Sequence, residues 1–288
     1  MSIVMGRVKL THMVEGAVRV VVSLPRTGSK GVKRFRPDES LHVRVPLGGR
    51  MVWVDANTGE ELAVSDLERS ARRARSNLLM RACSTTWDWF GTLTLDREKL
   101  PEGLSRRDVG AVDWVYEWFH KLRARYPEMM YILVPECHKN GAYHFHVLLA
   151  GVPSALMAPA MKGATHIHHA GNPVFHFLPF QHGVGFTSMT AVRSSLRVAR
   201  YMVKYLTKSM GSASVVGLGR RRFTCSHNVP KCADTVIDDV FVDVSGMHVV
   251  GEGFGVWVSW SHVDDPFVRG LLGRASLIDV PAVAVSSA

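Results

Sequence analysis

The stretch MMYILVPECHKNGAYHFHVLLAG, residues 129–151, limits the folds open to this chain more than any other. Two apolar segments meet at Asn140-Gly141, a strong signal for a turn between antiparallel strands. In a strand alternate side chains share a face. His144 and His146 therefore point one way, and Tyr143, Phe145, Val147 and Leu149 point the other, towards a core. A two-residue loop would set Cys137 opposite His144 and turn Glu136 into that core. A three-residue loop, Lys139-Asn140-Gly141 with a left-handed Gly141, sets Glu136 opposite His144 instead. Glu136 is the only carboxylate between Glu128 and Asp234. Burying it unpaired would be costly, so the three-residue loop is expected.

A lone histidine in a strand is usually structural. Two on one face, roughly 7 Å apart at Cα with a carboxylate opposite, can converge on a single ion. Glu136, His144 and His146 are the candidate ligands, and His138 on the same face is a weaker one. Such donors suit Mn²⁺ or Zn²⁺, and less naturally Mg²⁺, which prefers oxygen.

The surrounding chain supplies the rest of a sheet and its helices. Residues 1–65 read as strands and turns: AVRVVVSL, LHVRVPL, RMVWVDA and the turn NTGEE. A basic helix, DLERSARRARSNLLMRA, follows with Ser65 or Asp66 as its N-cap. WDWFGTLTL (87–95) reads as a strand, and RRDVGAVDWVYEWFHKLRARY (106–126) as an amphipathic helix. Residues 152–182 form a loop-rich insert. GVGFTSMTAV reads as a strand and SSLRVARYMVKYLTKSM as a helix ended by Gly211. The remainder reads as strands and loops, with a frayed AVAVSSA tail. The expected class is α+β: a central antiparallel sheet with helices on one face, and β-rich extensions at both ends. The expected divisions are 1–65, a basic helix or linker at 66–84, a core at 85–228 and a C-terminal extension at 229–288.

Charge narrows the partners. The net charge is +10, yet residues 137–233 contain no Asp or Glu beside eleven Lys or Arg and nine His. A solvated face normally mixes both signs, so this segment suits a polyanion, nucleic acid above all. No apolar run approaches the ~18 residues that cross a bilayer. Four cysteines, none in a CxxC pair, read as free thiols in a reducing cytoplasm.

On the helix RYMVKYLTK, at about 100° per residue, Tyr201, Tyr205, Lys204 and Lys208 fall on one side. Leu196, Val198, Ala199, Met202, Val203 and Leu206 fill the opposite arc. Tyrosines at this spacing are often only the border of a core helix. A phenol with a reference pKa of ~10 is a poor nucleophile at neutral pH. Nearby ammonium groups, and a metal ion on the phosphoryl oxygen, would let it attack a phosphodiester.

These residues in this order resemble the HUH endonucleases, and among them the two-tyrosine rolling-circle replication initiators of small phages and plasmids. FGTLTL (90–95) is similar to the first motif of that family, ECHKNGAYHFHVLL to the second and YMVKYLTK to the third. The later GRRRFTCSHNV is weakly similar to a following basic segment. The resemblance, over roughly 85–228, implies an HUH/RRM-like sheet and a divalent ion, Mg²⁺ or Mn²⁺, on Glu136, His144 and His146. It implies that Tyr201 attacks the scissile phosphate to give a 5′-phosphotyrosine and a free 3′-OH. Tyr205 would be the second nucleophile, and Lys204 would orient nucleophile or phosphate. The implied partners are single-stranded and origin DNA in a bacterial cytoplasm, with a host helicase and polymerase. No GxxxxGK[ST] occurs, so no P-loop helicase is fused within this sequence.

Other features carry lesser expectations. Lys208, Arg220, Arg221 and Arg222 are candidate phosphate contacts, and the arginines at 69, 72, 73 and 75 suit phosphates or a solvated face. His166, His168, His169, His176 and His182 match no zinc spacing. Cys225, Cys232 and His227 read as free thiols beside a histidine, and Trp87 and Trp89 as core residues before base-stacking ones. A relaxase would carry its tyrosine before the histidines, and many related transposases are shorter with one tyrosine. An inactive DNA-binding homologue would not need the intact ligand set, and a zinc hydrolase would not need the tyrosine helix.

Overall fold

The computed structural model describes residues 3–23, 42–47, 50–55, 63–138, 140–211, 221–245, 247–249 and 256–275. In chain order the strands and helices are β1 (Ile3–His12), β2 (Ala17–Ser23), β3 (His42–Leu47), β4 (Arg50–Asp55), α1 (Ala63–Ala82), β5 (Trp89–Leu95), α2 (Val109–Arg125), β6 (Met130–Cys137) and β7 (Tyr143–Ala150). Then come β8 (Met157–Pro159), four two-residue strands β9 to β12 (Met161–Lys162, Thr165–His166, His168–His169, Asn172–Pro173), β13 (Phe175–Phe177), α3 (Leu178–Gly183), β14 (Gly185–Ala191) and α4 (Ser195–Gly211). The last are β15 (Thr224–Cys225), β16 (Asp234–Asp243), β17 (His248–Val249), β18 (Val256–His262) and α5 (Pro266–Ala275). No helix among the described residues is long and apolar enough to cross a membrane.

The chain divides into two compact units, one of Met1–Lys30, Cys83–Thr85 and Lys231–Ala288, the other of Gly31–Ala82 and Thr86–Pro230. The first unit is a five-stranded sheet in the order β16-β1-β2-β18-β17. One face of it buries Val8, Leu10, Val20, Val22, Ile237 and Val242 with Val268 and Leu271 of α5. The helix α5 was not expected from sequence, because PFVRGLLGRA follows a turn and carries only a short apolar face. Asp234 holds the first strand pair by accepting from the Thr11 hydroxyl at 2.6 Å and pairing with Lys9 at 2.7 Å.

The second unit is built on a seven-stranded antiparallel sheet, β15-β6-β7-β5-β14-β13-β8. Helices cover both faces, not one. On one face Ala111, Val112, Val115, Phe119 and Leu122 of α2 and Phe180 of α3 pack on Leu93, Leu133, Phe145, Val147 and Leu149. On the other, α4 lies on β6 with α1 outside it. There Ile132, Val134, Leu148, Ala199, Met202, Leu206 and Leu78 are all buried. The reason is that β6 and β7 are apolar on both sides, so a sheet covered on one side would leave Ile132, Val134 and Leu148 in water.

Three further differences concern element limits. The helix α1 starts at Ala63, so Ser65 and Asp66 lie within its first turn, past the capping position. Within the insert, β8 and β13 extend the main sheet, and α3 follows them directly. The alternation in Phe175-His176-Phe177 was short enough to pass for loop. The turn NTGEE and the AVAVSSA tail lie outside the described residues.

Gly91 marks a tight strand contact near the site. A Cβ there would run into the Ser188 carbonyl oxygen and the Met189 sulfur, and the first of these is backbone on the paired strand β14. Gly91→Ala is expected to lower stability by about 1–3 kcal/mol or more, seen as a lower urea midpoint at unchanged slope. A wild-type midpoint would mean that β5 and β14 can part without cost.

A candidate metal and tyrosine site on the sheet

The β6–β7 turn sets the site. His138 N–H donates to the Ala142 carbonyl at 2.9 Å, and Gly141 sits at φ 84°. This is the three-residue loop, and it places Glu136 directly opposite His144. Lys139 itself lies outside the described residues. Continuing across the sheet, His144 pairs with Thr94 and His146 with Thr92 of β5. Directly opposed residues of antiparallel strands point to one face. Glu136, His144, His146, Thr92 and Thr94 therefore share the face on which α4 lies.

The three candidate ligands converge. Glu136 Oε2 lies 3.1 Å from His144 Nε2 and 2.7 Å from His146 Nε2, and the two imidazole nitrogens are 3.2 Å apart. Donors bound at about 2.1 Å from one ion stand roughly 3.0–3.4 Å apart at octahedral or tetrahedral angles, so these residues fit a divalent ion. Each histidine is 5 % exposed, and no second group of this kind occurs among the described residues. Within the insert, His168 Nδ1 contacts the His166 carbonyl and His176 Nδ1 the Thr187 carbonyl. Cys225 and Cys232 are not joined in a disulfide. The exposed His138 ring stacks on His144, 3.9 Å between centroids, and stands outside the converging set.

Thr92 was missed from sequence. Its hydroxyl lies 3.4 Å from His146 Nδ1, which leaves Nε2 directed at Glu136. The signal was present in FGTLTL, where Thr92 and Thr94 alternate with buried Gly91, Leu93 and Leu95. Thr92→Val is expected to weaken Mn²⁺ binding about tenfold or more by freeing the ring, as read in a metal titration. Unchanged affinity would show that packing alone orients His146.

The helix α4 delivers the tyrosines. Ser194 Oγ accepts from the Arg197 N–H at 3.2 Å, a cap on the first turn. Ser195 Oγ accepts from the Trp87 N–H at 2.9 Å, and the Trp87 indole donates to the Ala82 carbonyl at 2.8 Å. Trp87 is thus a buried tie between α1, α4 and the start of β5, while Trp89 packs against Phe175. Ala199, Met202 and Leu206 point inward, and Tyr205 meets His146 face to face with centroids 3.3 Å apart. Tyr201 stands edge-on to Tyr205 at 4.9 Å and to Phe90 at 5.6 Å, and is 43 % exposed. Lys204 Nζ lies 5.7 Å from the centre of the Tyr201 ring.

Burial, a hydrogen bond with Tyr201 and the nearby Glu136 carboxylate hold the Tyr205 phenol well above its ordinary range. At neutral pH Tyr205 therefore keeps its proton. Of the candidate phosphate contacts, Arg221 is exposed and Arg222 half-buried just before β15, at the far edge of the sheet from β8. The backbone of Lys208 lies on α4, but its side chain and all of Arg220 fall outside the described residues.

A family model for replication-associated proteins of the ORF2 type matches residues 88–210, from the start of β5 to the end of α4. This segment is similar to that replication-associated family. The match takes in a little under half of the chain and holds every residue of the converging cluster and both tyrosines. The matched segment spans β5, the β6–β7 hairpin and α4. No curated protein and no solved structure matched the chain.

Proposed function

We propose that this protein starts rolling-circle replication by nicking one DNA strand at an origin and joining itself to the 5′ end. The observation that carries the reading is the stacking of Tyr205 on His146, with Tyr201 beside it, which gathers two phenols and a Glu-His-His set in one place. The Tyr201 oxygen attacks the scissile phosphorus and the bond from phosphorus to the 3′ oxygen breaks. Tyr201 gives up its phenol proton to solvent as it attacks, and the 3′ oxygen takes up one from solvent and leaves as the hydroxyl that primes synthesis. Tyr201 is the exposed phenol, open to a strand arriving from solvent, while Tyr205 is stacked on His146, so Tyr201 is the one placed to attack first. Tyr205, protonated until then, serves the second transfer that ends or rejoins the strand.

Glu136, His144 and His146 would hold the divalent ion. Bound there, it supplies polarisation of a phosphoryl oxygen and offsets charge that develops at the phosphate. Thr92 fixes the His146 ring, and Lys204 beside Tyr201 favours both the phenolate and the phosphate. The phosphotyrosine ester conserves the bond energy, so rejoining needs no nucleotide cofactor. Strand separation ahead of the nick falls to a host helicase and copying to a host polymerase.

The test is incubation of the whole protein with single-stranded DNA and Mn²⁺, followed by a denaturing gel. A DNA adduct that survives denaturation and disappears with EDTA is expected. Metal-dependent binding with no adduct on any single strand or supercoiled origin would instead fit an inactive DNA-binding homologue. A relaxase or single-strand transposase shares the adduct but would show it without initiating replication.

A further inference from the structure

The face that carries the candidate site continues beyond the reach of α4, and its most exposed aromatic is Phe186 of β14. Register places it there. Phe186 pairs with Thr94, which pairs with His144, which pairs with Glu136, so all four lie in one row on one face. Ser188 pairs with Thr92, and Thr92 with His146, in the next row. Two strand spacings separate Phe186 from His144, roughly 10 Å. Tyr201 reaches only as far as Phe90 on β5. On β14, Phe186 is 55 % exposed and Ser188 is exposed too, while Gly185, Thr187 and Met189 on the other face are buried.

A large aromatic ring left in water beside a candidate phosphodiester site has a cost unless something covers it. Three observations select the occupant. First, β14 lies inside the acid-free segment 137–233, with its eleven cations, which favours a polyanion over a protein of mixed charge. Second, the floor between Phe186 and the histidines is lined by the hydroxyls of Thr92, Thr94 and Ser188, donors suited to phosphate and sugar oxygens. Third, Lys99 Nζ lies over the Phe186 ring, 5.9 Å from its centre, where it donates to the Gln181 carbonyl at 2.7 Å and stands 3.8 Å from the Asp96 carboxylate, so a cation held by only one long ion pair sits at the ring. A ring with a cation at its side, on an open sheet face, matches the way single strands are held: bases on aromatics, phosphates on ammonium groups.

We infer that Phe186 is a base-stacking platform for single-stranded DNA, holding a nucleotide a few positions from the attacked phosphate while Lys99 contacts the backbone. The inference rests on the nicking role proposed above, and it makes Phe186 a positioning residue. Stacking is tolerant of sequence because every base has a π face, so this contact aligns the strand without choosing it.

The experiment uses the full chain and two labelled probes of equal length, an oligothymidylate and an abasic oligonucleotide with the same phosphates. Phe186→Ala is expected to weaken oligothymidylate binding about five- to a hundredfold, the effect of losing one stacked base, and to leave the abasic probe unchanged. Phe186→Trp should restore or tighten base-dependent binding. Equal affinity of Phe186→Ala and wild type for oligothymidylate, an equal loss on both probes, or no single-strand binding by the wild type would overturn the inference. Adduct formation is scored in parallel. An adduct in the wild type with no base-dependent effect at Phe186 removes the platform alone; base-dependent binding through Phe186 with no adduct removes the nicking chemistry alone.

Discussion

Tyr201→Phe together with Tyr205→Phe is expected to abolish covalent transfer to a labelled single strand, by more than about 10³-fold, while metal-dependent DNA binding should stay within a few-fold of wild type. The expected separation follows from what each hydroxyl does. The rings stay, so the stack of residue 205 on His146 and the edge contact of residue 201 with Phe90 are preserved. Only the two phenol oxygens and one hydrogen bond between them are lost. The single variants divide the roles. Tyr201→Phe should remove the first nick, because Tyr201 is the exposed phenol while Tyr205 is stacked on His146. Tyr205→Phe should still nick but fail to rejoin the strand. Full nicking by Tyr201→Phe would give the first attack to Tyr205 instead.

Replacing His146 has the second largest expected effect, because three features of the site pass through its ring. It lies 2.7 Å from Glu136, contacts Thr92 and stacks on Tyr205. His146→Ala is expected to eliminate nicking and to weaken Mn²⁺ binding by more than the roughly 10–100-fold typical of losing a supporting residue. Circular dichroism should remain that of the folded chain, since the opposite face of β7 keeps Phe145, Val147 and Leu149 in the core. His146→Gln, closer in size, guards against a packing defect. His138→Ala is the contrast: its exposed ring only stacks on His144, so metal affinity and nicking should change little. Wild-type nicking by His146→Ala would remove the metal assignment.

The site was legible in the sequence to the extent that one face of one strand dictated it. The lone carboxylate at 136, forced to avoid the core, chose the loop length, and the loop length chose the register that sets Glu136 opposite His144. The helical arc of α4 likewise gave the side bearing Tyr201 and Tyr205, because its aliphatic residues leave no other surface for the sheet. What stayed hidden depended on partners far away in the chain. That α4 would cover the histidine face needed Ile132, Val134 and Leu148 to be seen as a second core beneath it. The part played by Thr92 appears only once β5 is paired with β7. β8 and β13 are three residues each, too short for alternation to distinguish strand from loop. The helix α5 packs on β16 and shares its core with β1 and β2, more than 200 residues earlier, which no local window contains.

The central claim is that phenols and the Glu-His-His set act on one phosphate, and the sequence offers a direct way to see it. Trypsin cuts after Arg200, Lys204 and Lys208, so Tyr201 and Tyr205 leave in separate peptides, YMVK and YLTK. Mass spectrometry of the DNA adduct formed with Mn²⁺ should find the nucleotide phosphate on YMVK after the first nick and on YLTK only after strand transfer. A phosphate on any other peptide, or an adduct that forms equally well in EDTA, would contradict the account.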